Sequence, residues 1–133
     1  MSGLTPMDRE QLQTLDGFGN RMHHVRGLVE KLAVERMDVE GVAGQCRRAF
    51  NQLKMQLAGA GLDTMANLCG QLELTARRGM PHASKVRMLR DGVGTLTRQI
   101  DVEKRQITTA AKRAADAERA AESKRAADGE RDG

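Results

Sequence analysis

Tryptophan and tyrosine are absent from this chain of 133 residues, and Phe18 and Phe50 are its only aromatics. Strands draw on aromatic and β-branched residues, so this poverty argues against a sheet. Cysteine is nearly absent too. Cys46 and Cys69 both fall on apolar helical stripes and read as small buried hydrophobes rather than a disulfide. No run of about 18 apolar residues occurs, so no membrane span is expected. The opening Met1–Glu10 lacks the apolar centre of a signal peptide, which leads to an expectation of a cytoplasmic protein. Charge of one sign is also lacking. Twenty-two Lys and Arg are mixed with 18 Asp and Glu, for a net charge of +4. The basic residues are spread, and there is little to stack on bases, so no nucleic-acid partner is expected.

Chemistry-bearing motifs are missing as well. There is no phosphate-cradling Gly-Lys-Ser/Thr loop and no dinucleotide fingerprint. No Ser, Thr or Cys has an evident base partner. His23, His24 and His82 with Cys46 and Cys69 match no usual ligand spacing, so neither metal nor cofactor is expected. The chain reads as a protein that is not an enzyme.

What is present favours helix. Ala, Leu, Met, Arg, Glu and Gln dominate, with eight Met to fill core gaps. Residues 1–7 read as a tail. A short helix starting at Asp8 carries Leu12 and Leu15, and Asp16-Gly17-Phe18-Gly19-Asn20 reads as a break. Spacings of three and four then place Met22, Val25, Leu28 or Val29, and Leu32 on one face. The next helix carries Val39, Val42, Cys46, Ala49, Leu53 and Leu57 and ends at Ala58-Gly59-Ala60-Gly61. Asp63 reads as an N-cap for a helix with Met65, Leu68 or Cys69, Leu72 and Ala76, which stops at Arg78-Gly79-Met80-Pro81. The last carries Val86, Leu89, Val93, Leu96, Ile100 and Ile107, with Gly92 and Gly94 inside it. Residues 108–133 hold no Leu, Ile, Val, Met or Phe and read as a solvated Ala/charged extension, partly disordered by 126–129.

The expectation is therefore all-α: an antiparallel four-helix bundle over 8–107, with a short N-terminal helix and a long charged C-terminal helical extension. The stripes could close a bundle within one chain or between two, so monomer and dimer both stay open.

One helix face is distinctive. Opposite the Leu53 stripe stand Arg47, Asn51, Lys54, Met55 and Ala58, a basic, amide-bearing row with an apolar Met set in it. The run Phe50-Asn51-Gln52-Leu53-Lys54-Met55 through Gly61 resembles the signature of histidine-phosphotransfer domains: His, any residue, an apolar residue, Lys, Gly, and a further Gly at the helix end. Leu53, Lys54 and Gly61 are in register. The continuation Met65-Ala66-Asn67-Leu68-Cys69-Gly70-Gln71-Leu72-Glu73, then Ala76-Arg77-Arg78-Gly79, is similar too, and the likeness covers about residues 7–107.

Two departures bear on mechanism. Asn51 stands where the family has its phosphoacceptor His, and Met55 stands where it has Gly. An imidazole nitrogen attacks an acyl phosphate, whereas a carboxamide nitrogen is delocalised and does not. The resemblance thus implies a degenerate member: a non-catalytic adaptor or inhibitor in two-component signalling. It would bind the receiver domain of a response regulator, or a hybrid histidine kinase, through Arg47, Asn51, Lys54, Met55 and Ala58. Two alternatives stand beside it. His23-His24-Val25-Arg26-Gly27 fits the short form of the signature and would make His23 an active phosphoacceptor. A structural bundle or coiled coil pairing through the Val86–Ile107 stripe is the other.

Overall fold

The computed structural model describes residues 3–132, and all regular structure among them is helical. Four helices follow in order: α1 (Pro6–Val34), α2 (Val39–Gly59), α3 (Asp63–Arg77) and α4 (His82–Asp132). None is long and apolar enough to cross a membrane. The chain divides into two compact units, residues 17–100 and residues 1–16 with 101–133.

The 17–100 unit holds nearly all of the core. From α1 it buries Phe18, Met22, Val25, Val29 and Leu32, a strict alternation of four and three. The expected break at residues 16–20 does not occur: α1 runs unbroken through Gly17 and Gly19. Two glycines cost a helix about 1 kcal/mol each. Burying the whole Phe18 side chain outweighs that, since tertiary packing supplies most helical stability in proteins. Of the open pair, Val29 is buried and Leu28 half-buried.

Asp38 caps α2. Its Oδ1 accepts the Gly41 N–H at 3.2 Å, and Glu35 Oε1 accepts the N–H groups of Met37 and Asp38, both at 3.1 Å. These amide donors hold the Glu35 carboxyl below its usual range. The α2 core row is Val42, Cys46, Phe50, Leu53 and Leu57. Phe50 is fully buried, whereas Val39 and Ala49 are only half-buried. Neighbouring positions point to different sides of a helix, and turning the larger apolar side chain inward removes more area from water.

At the far end of α2 the Leu62 N–H bonds the Leu57 carbonyl and the Gly61 N–H bonds the Ala58 carbonyl, at 2.9 and 3.0 Å. Gly61 takes the left-handed conformation, φ +78°, that this Schellman closure requires. Asp63, expected to cap α3, is instead its first residue; Leu62 holds the cap position and makes no side-chain cap bond. The Schellman turn already fixes the chain at Leu62. Asp63 still places a negative charge in the first turn, where the helix dipole favours it.

α2 and α3 pack on one another. From α3 the buried residues are Met65, Ala66, Cys69, Leu72, Thr75 and Ala76. α4 adds Val86, Leu89, Val93, Leu96 and Ile100. At Gly92 the α4 backbone lies directly against a side chain of α3: a Cβ there would lie 2.2 Å from Leu72 Cδ2. Gly94 has no such neighbour on another helix.

The smaller unit begins with a reciprocal cap. Asp8 N–H donates to Thr5 Oγ1 and Thr5 N–H to Asp8 Oδ2, each at 3.0 Å. With Pro6 at the first helical position, this starts α1 inside the stretch expected to be tail. The short N-terminal helix is thus the first part of α1 rather than a separate element. Leu15 and Ala111 are the buried apolar residues here. Asp16 Oδ1 meets Lys104 Nζ at 2.5 Å, which raises the Lys104 pKa. The extension continues α4 as helix, residues 126–129 included, and its side chains from Lys112 to Gly129 are exposed except for half-buried Ala115.

Candidate docking surface

Met55 sits two-thirds exposed on α2, 66% by relative area, and Ala58 is exposed one turn further on. Arg47, Asn51 and Lys54, from the same row, are half-buried. The row is therefore graded rather than uniformly solvated. Its edge nearest α3 is partly covered, and its Met55 edge is open.

Lys54 shows why. Its stem passes over Gly70 of α3, where an added Cβ would touch Lys54 Cδ at 3.4 Å. Its Nζ then donates to Glu73 Oε2 at 3.1 Å. The Lys54 side chain is 38% exposed and that of Glu73 only 16%. Glu73 is the residue that sequence reasoning missed at this site. Its signal was the Leu72-Glu73 ending quoted above, but a role for it needs the distance across to α2. Beside the pair lies an open cleft of about 560 Å³ lined by Lys54, Asn67, Gly70, Gln71, Glu73 and Arg77. On the other flank of α3, a shallow groove of about 450 Å³ runs between Leu74 and Met88, both nearly half exposed.

The site offers binding groups and no activated nucleophile. Asn51 carries a neutral amide. Burial pushes the Cys46 thiol up to about 11 and the Cys69 thiol up to about 12, the latter against the opposing pull of the Lys54 charge. Both thiols therefore stay protonated near neutral pH and are poor nucleophiles. His23 and His24 are exposed on α1, and Arg26 Nη2 reaches Thr97 Oγ1 at 3.4 Å. His82 buries both ring nitrogens without a hydrogen-bond partner. Among the described residues no group of three or more His, Cys, Asp or Glu could hold a metal ion.

Comparison with protein-family models, with curated proteins and with solved structures gives no match.

Proposed function

We propose that this chain is a non-catalytic adaptor or inhibitor that docks on the receiver domain of a response regulator, or on a hybrid histidine kinase, without passing phosphate. The observation that carries the reading is the α2 row itself. An exposed Met55 lies beside a lysine, with an amide where the resemblance would have the reactive imidazole. Met is over-used at adaptable binding surfaces, and a basic rim is steered toward an acidic pocket. Asn51 supplies hydrogen bonds and no nucleophile. Such partners are cytoplasmic, which is where the reading puts the chain.

The test is incubation of the purified chain with phosphorylated receiver domains from its source organism, scoring stable binding and label transfer separately. Binding without transfer is the expected result, with Met55→Asp abolishing it. No binding at micromolar concentration eliminates the proposal. Acid-labile label that disappears in His23→Gln would replace it with a phosphorelay reading through exposed His23.

A further inference from the structure

We infer that Glu73 sets the charge requirement of the docking surface: as the internal counter-ion of Lys54, it admits only partners that present several clustered carboxylates. The inference rests on the docking reading above and deepens it.

Lys54 is not a free cation waiting for an anion. Its ammonium is 3.1 Å from Glu73 Oε2, and its stem is held against Gly70. A partner offering one carboxylate exchanges one ion pair for another and gains little. It also strips the cation from a carboxylate that is already largely shielded from water, and uncompensated charge in such a place is costly. A cluster of carboxylates is different, because each adds attraction to the same ammonium while the loss at Glu73 is incurred once.

The fold supplies a place for the displaced acid. Arg77 lies four residues beyond Glu73 on α3, the spacing at which helical side chains meet, and it lines the same cleft. Glu73 can thus pass from Lys54 to Arg77 as Lys54 turns outward toward the partner. This makes Glu73 a residue of selectivity rather than of attachment. It lowers affinity for every acidic surface by a similar factor, so that only the most acidic partners keep useful binding.

The experiment is a calorimetric titration of the full chain against one isolated receiver domain from the source organism, and against the same domain with one acidic-pocket carboxylate changed to its amide. The chain is used as wild type, Glu73→Gln, Lys54→Met and the double variant, with thermal melts to show that each is folded. Glu73→Gln is expected to tighten binding about threefold, which is what one such pair holds. The same tightening is expected toward the receiver domain that lacks one carboxylate, and both effects vanish in the Lys54→Met background. Binding by Glu73→Gln where the wild type shows none supports the inference as well. Unchanged or weaker binding of Glu73→Gln, with wild-type binding intact, overturns it and leaves the docking reading standing. A gain that persists without Lys54 overturns it too. No binding by any of the four removes both.

Discussion

The two units of this molecule are built from the same secondary structure and differ in what they can bury. In the 17–100 unit every helix contributes a row of Leu, Val, Met, Phe or Ile, and Phe18, Phe50, Leu32, Leu57, Leu89 and Leu96 are almost wholly removed from water. In the unit made of residues 1–16 and 101–133, the buried apolar residues are Leu15 and Ala111. The specific side-chain contacts in that second unit are polar: the local Thr5–Asp8 cap and the exposed Asp16–Lys104 ion pair. Helix propensity is high in both. Propensity forms a helix, and apolar area holds it in place. The candidate docking row, Arg47 to Ala58, is carried by the unit with the rigid core, the better platform for holding side chains in a fixed array.

Amide hydrogen exchange tests this contrast most directly. Amides of α4 between Val86 and Ile100 should exchange about a thousandfold more slowly than those between Lys112 and Ala127, because only the former need opening of the main core. Similar protection in both stretches would dissolve the contrast.

Phe50→Ala removes the largest fully buried side chain of α2 and should cost roughly 3–5 kcal/mol in urea unfolding. Gly92→Val drives side-chain atoms into Leu72 and should cost about 1–3 kcal/mol, with Gly94→Ala near neutral or stabilising as an internal control. Thr5→Ala breaks the reciprocal cap and should cost about 1 kcal/mol, seen as faster exchange over the first turns of α1.

The smallest effect near neutrality belongs to the cysteines. Burial raises Cys46 to about 11 and Cys69 to about 12 from an ordinary value of 9.0. The native state therefore holds these protons more tightly than the unfolded chain. Their contribution to stability is complete below pH 9.0 and is lost as the pH climbs through the folded values. Unfolding curves should weaken above pH 9.0, and Cys46→Ala with Cys69→Ala should flatten that alkaline decline.

Legibility in the sequence followed the same division of forces. The stripes Met22–Leu32, Cys46–Leu57, Met65–Ala76 and Val86–Ile100 were readable because a row with a period near 3.6 has one way to leave water. The Gly61 turn and the stop before Pro81 were readable because few residues satisfy those backbone demands. Gly17 and Gly19 misled because their cost is local, whereas the compensation, burial of Leu15 and Phe18, comes from residues remote in sequence. The start of α1 was misplaced by two residues because its cap joins Thr5 to Asp8 rather than preceding Asp8.

The row from Arg47 to Ala58 was legible as a row, since helical spacing alone puts those residues together. Its grading from open Met55 to covered Lys54 was not. By itself the sequence determined that this chain is helical, that apolar rows between Met22 and Ile100 form its core, and that residue 51 offers an amide. Only the tertiary structure decided that Phe50 is buried where Ala49 is only half-buried, that Gly92 admits Leu72, and that Lys54 faces Glu73. Each of these depends on a distance between two helices, and such a distance is set by how whole side chains pack, not by the period of any one of them.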